Sequence, residues 1–335
     1  MWRGARCLST ECEALGNGPM INPDNRIVTV FGGDGFIGRY VCEQLFRNEF
    51  RVRVACRDPR NAYFLQPLAP VGSLGVVRCN VADADRVRAV VEDSSAVINL
   101  VGTFSGSLHA THVEGARNIA EAARDAGAAA LVHISAIGCD VESEAVYGRT
   151  KAEGEAAVRS AFPSATIIRP SIVFGPEDDL TNRLAGLSRL PVLPVVAAKR
   201  QFRPVYVRDV AVAIVKAALD PAAHGGKIYE LGGPQVMTME EIYALSARAA
   251  GQEPDLIQLP NFASAFLSLF GFLPGAPLTR DQWKMLQADN LPSKGSRGLE
   301  AFGIEPTALE AVAPEWLGRF QQGGRWGERI RKAVA

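Results

Sequence analysis

The chain has 335 residues, 47% of them hydrophobic, with 36 basic and 36 acidic side chains. That is ample apolar material for one large domain or two intimately joined ones, and zero net charge without a Lys/Arg run gives no support for a nucleic-acid groove. Six cysteines with no C-x-x-C pair and no His/Cys cluster argue against a structural zinc and make a reducing compartment the default.

Residues 1–24 read as a disordered extension. Arg3 and Arg6 have no apolar stretch behind them, Glu11 and Glu13 spoil a transit-peptide reading, and Met20 offers a second start just ahead of the first strand. Ile27-Val28-Thr29-Val30-Phe31 then has the β-branched content of a strand buried on both faces. Gly32, Gly35 and Gly38 follow, with Phe36 and Ile37 inside the turn, and a helix begins there before a second apolar run ending Ala55-Cys56. Strand, glycine turn and helix in that order form the context a dinucleotide site requires: bare main chain approaches the pyrophosphate and the helix's positive end faces it.

The end of the second strand selects the nucleotide. An NAD site favours a carboxylate there, a 2′-phosphate a cation. Strand phasing puts Cys56 in the carboxylate position with Arg57 just after it, so NADP(H) is favoured over NAD(H). Asp58 is a ribose ligand if the strand runs longer, and Arg39 and Arg60 are auxiliary candidates or plain surface charges.

Strands and helices continue to alternate. Residues 74–81 predict a third strand with Asn80-Val81 at the adenine, and 84–91 a short helix. Residues 95–102 predict a strand ending at Val101-Gly102 beside the cofactor, 111–127 a long helix, 131–135 a fifth strand, and 167–176 a sixth that passes Pro170 into a loop. This is an α/β pattern, a Rossmann-type doubly wound parallel sheet over 25–176, completed by later segments up to about 234. Residues 177–335 predict a smaller mixed α/β region for substrate or docking, with a helix stopped at Asp220-Pro221, a strand at 228–233 and a capping box at Thr238–Glu241. From 252 onward the pattern is loop-rich, with scattered amphipathic helices. The apolar run Phe262–Leu273 is too short to span a bilayer, and no transmembrane segment is predicted.

Tyr147 and Lys151 stand four apart, one helical turn, on a shared face. That spacing lets an ammonium lower the phenol's pKa and bind nicotinamide-ribose hydroxyls while the phenol moves a proton at a carbonyl or carbinol. His109, His112, His133 and His224 join no cluster and read as structural.

The glycine turn, Asn80-Val81, His112 to Gly115, Tyr147 to Lys151 and Arg169-Pro170 through Gly175-Pro176 together resemble the extended and atypical branches of the short-chain dehydrogenase/reductase superfamily. Phe31 to Val41, Val113 to Asn118, Pro204 to Val210 and Leu278-Thr279-Arg280-Asp281 are similar to the nucleotide-binding accessory subunit of respiratory complex I and its bacterial relatives. The resemblance implies NADPH held as a structural cofactor and a respiratory membrane complex as partner. The short N-terminal extension favours a bacterial cytoplasm, peripheral on the inner face of the inner membrane, with the matrix side the counterpart in a eukaryote. The resemblance also implies roles for Gly32, Gly35 and Gly38 as phosphate loop, Arg57 as 2′-phosphate reader, and Tyr147 and Lys151 as the catalytic pair. The family's third member, a Ser or Thr, falls on Ser135 in one register and on Ala136 in the other, and Ser135 reads equally well as a satisfied strand-end hydroxyl. Two functions follow: a subunit that holds NADPH, or an active NADP-dependent oxidoreductase, epimerase or dehydratase acting on a sugar-nucleotide, steroid-like or other carbonyl or hydroxyl substrate.

Overall fold

A computed structural model describes residues 27–269 and 279–321. The extension expected over 1–24, the far end of the apolar run (270–273) and Leu278 lie outside the described residues.

The centre is a seven-stranded sheet. Its first six strands are β1 (Ile27–Phe31), β2 (Arg51–Cys56), β3 (Leu74–Arg78), β4 (Ala96–Asn99), β5 (Ala130–Ile134) and β6 (Thr166–Pro170), and Ile228–Leu231 is the seventh. They run in the order seventh-6-5-4-1-2-3, with every pairing parallel. Phe31 pairs with Ala55 on one side and Asn99 on the other, so the strand order reverses at β1 and opens a crevice at the carboxyl ends.

Helices cover both faces, as parallel connections require. Val28 and Val30 of β1 point into a core shared with α1 (Phe36–Arg47) and α6 (Val207–Leu219). Phe31 points the other way, into a core with α2 (Ala84–Val91) and α3 (Gly115–Asp125). The helix expected over 111–127 opens as a π-turn, Ala110–Glu114, before it becomes regular. Insertions of that kind recur at functional sites.

The region after 176 is mixed. Helix α5 (Asp179–Leu187), the helix Met239–Ala249 and short strand pairs surround a small core of Leu184, Val195, Phe202 and Ile242. It is not free-standing. The seventh strand and α6 complete the large sheet's layers, and Leu299, Phe302, Leu309, Trp316 and Leu317 are buried in the α1/α6 core. That apolar contact, rather than any periodicity of their own, fixes the short elements found after residue 298. Among the described residues, no helix is long and apolar enough to cross a membrane.

Candidate functional site

The glycine turn sits at the reversal point of the sheet. Gly32 adopts φ +76°, and a Cβ there would meet the Leu100 carbonyl carbon at 3.3 Å. Its N–H donates to Ala55 O at 3.1 Å, tying the turn to β2. Gly38 serves the helix instead. A Cβ there would lie 2.4 Å from Gly32 O, so only hydrogen lets α1 rest on the turn. Gly35 stands at the N-cap of α1 with no side chain closing the first turn and no acidic residue in it. The turn therefore offers open main-chain donors and a positive helix end, a cradle suited to a pyrophosphate. Phe36 and Ile37 are half-buried in that first turn.

At the end of β2, Arg57 is exposed and enters no hydrogen bond or ion pair among the described residues. Asp58 is engaged: it caps Arg60 N at 3.1 Å and takes the Arg60 guanidinium on both oxygens, at 3.0–3.1 Å from Nε and 2.7 Å from Nη2. Those bonds hold its carboxyl down to about 2. Arg39 is also occupied, donating to Glu177 at 2.7 Å with its guanidinium 4.2 Å from the centre of the Phe64 ring. Of the four candidates, Arg57 is the one with no hydrogen-bond or ion-pair partner among the described residues. Asp34, inside the turn, is pushed above the usual carboxylate range by burial, with the Arg57 charge among the influences drawing it back.

Asn80 is exposed at the end of β3, its Oδ1 accepting from Ala82 N at 3.2 Å. Val81 is buried against Gly115, and its carbonyl accepts from Asn118 Nδ2 at 2.9 Å. Pro170 is buried at the end of β6, where its carbonyl accepts from Ile137 N at 3.1 Å.

Helix α4 (Val146–Ala161) carries Tyr147 and Lys151 to the carboxyl edge. Lys151 is 3% exposed, and its Nζ donates to Ile134 O at 2.9 Å and Val101 O at 3.3 Å, beside Gly102. Burial pushes its pKa down to about 8. Tyr147 lies under Phe104, rings stacked at 4.4 Å and 15°, and meets the edge of His112 at 5.3 Å. The expectation that Lys151 lowers the phenol's pKa is not met. Burial pushes Tyr147 well above its ordinary value with the Cys139 thiol adding to the rise, while the ammonium is spent on two backbone carbonyls.

Ser135 Oγ is buried with no close hydrogen-bond partner among the described residues, although the Cys139 thiol lies near enough to sense it. Ala136, half-buried, has no hydroxyl to offer.

Composition alone did not reveal two features. His112 is structural, as expected, but it fastens three pieces of the site. Its Nε2 accepts from Thr103 N at 3.1 Å, leaving Nδ1 to donate to Thr150 Oγ1 at 2.9 Å, and Thr150 Oγ1 donates to Tyr147 O at 3.2 Å. Burial and then the Lys151 charge push the imidazole down to about 4, so it stays neutral. Phe104, in the loop 102–107, gave no signal beyond its flanking glycines. Among the described residues no group of acidic, His and Cys side chains is arranged to hold a metal.

An α/β sheet with a glycine cradle at its reversal point and a Tyr/Lys helix at the same edge defines a dinucleotide-binding protein of the dehydrogenase/epimerase kind. The chain belongs to the NAD dependent epimerase/dehydratase family, which matches residues 28–232. It is 33% identical over 319 residues to the mitochondrial NADH dehydrogenase (ubiquinone) 1 alpha subcomplex subunit 9 of Mus musculus, covering 91% of this chain and 83% of that one. It is also 33% identical over 241 residues to the ceramide reductase of Caulobacter vibrioides, covering 70% and 74% of the two chains. The NADPH-dependent quinone oxidoreductase QOR2 of Escherichia coli, solved with NADPH, superposes with a TM-score of 0.69 at 18% identity, over 86% of this chain and 99% of that one. This last likeness is one of fold.

Proposed function

We propose that the chain binds NADP(H) at the carboxyl edge of its sheet and keeps it as a largely structural nucleotide, as an accessory subunit of a respiratory NADH:ubiquinone oxidoreductase or of its assembly. The main chain of Gly32–Gly38 would hold the pyrophosphate, Arg57 the 2′-phosphate, and Lys151 the nicotinamide-ribose hydroxyls. A nicotinamide held there would bring hydride-transfer chemistry, which the holding role leaves unused. The observation that carries a holding role is the state of Tyr147, raised in pKa by burial and covered on one face by Phe104, while the Ser135 hydroxyl at the end of β5 is shut away from solvent. A phenol so placed is a poor base toward a carbinol and is covered where a substrate would meet it, and the substrate-polarising hydroxyl of an active site has no exposed counterpart in Ser135. The complex I subunit relative supports the assembly part of this reading. Location follows the partner: peripheral, on the cytoplasmic face of a bacterial inner membrane or the matrix face of a mitochondrial one.

A second reading, an active NADP-dependent reductase, rests on the intact Tyr147/Lys151 pair and on a ceramide reductase relative of equal identity. Extraction of the purified full chain decides between them. Stoichiometric NADPH that survives gel filtration and is not consumed with long-chain ketones or other carbonyls supports the first. Rapid nucleotide exchange with turnover that Tyr147→Phe abolishes supports the second and overturns the first.

A further inference from the structure

Helix α4 starts without a cap of its own. Its N-cap residue is Ala145, extended at φ −78° and ψ 126°, which has the right backbone and no oxygen to offer. The first-turn donors go instead to a residue far along the chain: Val146 N donates to Asp281 Oδ1 at 2.6 Å and Tyr147 N to Asp281 Oδ2 at 2.9 Å. Asp281 is itself held in place. It lies in the first turn of the short helix Arg280–Met285, whose capping box pairs Thr279 and Gln282 in both directions, at 3.0 and 3.2 Å. One turn on, Lys284 Nζ donates to Glu144 O at 3.1 Å, so a single face of this helix grips residues 144–147.

From this geometry we infer that Asp281 is a positioning residue for the nucleotide site, acting through the first turn of α4. A carboxylate on two free N–H groups also faces the positive end of the helix dipole, so charge and hydrogen bonding act together. The turn it secures carries Tyr147, and the next carries Lys151. Fraying there swings the phenol from beneath Phe104 and loosens the ammonium's hold on the carbonyls of Ile134 and Val101. Seating of the segment from Thr279 to Met285 and retention of the nucleotide therefore support each other, since each favours the same ordered turn. The inference rests on the nucleotide-holding reading, and it assigns that reading a residue 135 positions beyond Val146 in the chain.

The test uses the full chain and NADPH fluorescence titration. Asp281→Ala is expected to weaken NADPH about tenfold, the factor that corresponds to about 1.4 kcal/mol. Adding Ala145→Ser in that background supplies a local cap and is expected to restore most of the affinity, which loss of C-terminal packing would not allow. Asp281→Asn, which keeps the volume and one acceptor, should fall between wild type and Asp281→Ala, and it serves if the alanine variant does not fold. In nucleotide-free protein, amide exchange over 146–151 should quicken in Asp281→Ala and Asp281→Asn and slow again when Ala145→Ser is added. Wild-type affinity in Asp281→Ala and Asp281→Asn, failure of Ala145→Ser to rescue, or unchanged exchange over 146–151 in the single variants overturns the role of Asp281. A wild-type chain that binds no nicotinamide nucleotide sinks the holding reading itself, while the exchange measurement still decides whether Asp281 fixes the turn.

Discussion

Phe104 lies flat on Tyr147, ring centroids 4.4 Å apart, although Phe104 itself is 55% exposed. An exposed aromatic ring kept on a phenol by a glycine-flanked loop covers one face of the residue that an active relative would present to substrate. The loop is anchored beneath by Thr103 N donating to His112 Nε2 at 3.1 Å. Such a stack contributes about 0.5–1.5 kcal/mol beyond area burial. Phe104→Ala is expected to speed NADPH dissociation several-fold, up to roughly tenfold, with little loss of stability. Stopped-flow displacement with excess NADP⁺ reads the rate, and an unchanged rate would separate the stack from retention.

His112 makes stability depend on pH. Its folded pKa, about 4, lies below the ordinary 6.5. Over that interval the unfolded chain binds more protons than the folded one, so stability is full above 6.5 and is lost as pH falls toward 4. At 1.36 kcal/mol per unit the loss approaches about 3 kcal/mol. Buried His133, also pushed well down by burial and then by Lys151, adds a loss of the same sign. Urea midpoints at neutral pH and at pH near 5 should therefore separate for the wild type and separate less for His112→Gln. Equal separation in both would remove His112 from the account.

Arg57→Ala should weaken NADPH far more than NADH. A charge-assisted contact to a phosphate contributes on the order of 1.5–3 kcal/mol, and the exposure of Arg57 places the effect at the lower end, about tenfold in affinity. Paired titrations with the two nucleotides measure it. Equal losses for both would leave the preference for a 2′-phosphate without its reader.

Glu155 on α4 takes Arg169 of β6 on both oxygens, from Nε at 2.9 Å and from Nη2 at 2.5 Å, and Arg169 also reaches Glu230 of the seventh strand at 3.3 Å. Glu230 in turn accepts from Ser293 N at 2.6 Å, so one guanidinium joins the Tyr147 helix, two strands and the C-terminal segment. Removing one partner of a buried pair costs about 3–5 kcal/mol because the other is left uncompensated. Arg169 keeps Glu230 and retains some solvent contact, so Glu155→Ala should cost about 2–3 kcal/mol by chemical denaturation. A cost under about 1 kcal/mol would mark the network as a surface pair.

How much of the site is legible in the sequence depends on the span of the interaction. The glycine turn is encoded within seven consecutive residues, 32–38, because a tight turn and a close helix each exclude a Cβ at a fixed position. Tyr147 and Lys151 share a face by helical period alone. Strand alternation likewise announces the parallel sheet, since strands buried on both faces need continuous apolar runs. The pKa lowering that the Tyr/Lys spacing suggests fails for a physical reason. Spacing puts an ammonium and a phenol on one face, but only packing shows that backbone carbonyls claim the ammonium and that burial raises the phenol.

The sequence by itself determined the dinucleotide cradle, the doubly wound layers and the residue types at the carboxyl edge, all of them short-range consequences of backbone sterics and hydrophobic period. Tertiary structure alone decided which arginine at the end of β2 is engaged by Asp58, which ring covers Tyr147, and that Asp281 closes the helix beneath it. Those contacts join residues far apart in the chain. Their energies depend on positions that no local pattern records, and the packed core is what brings the partners within reach of one another.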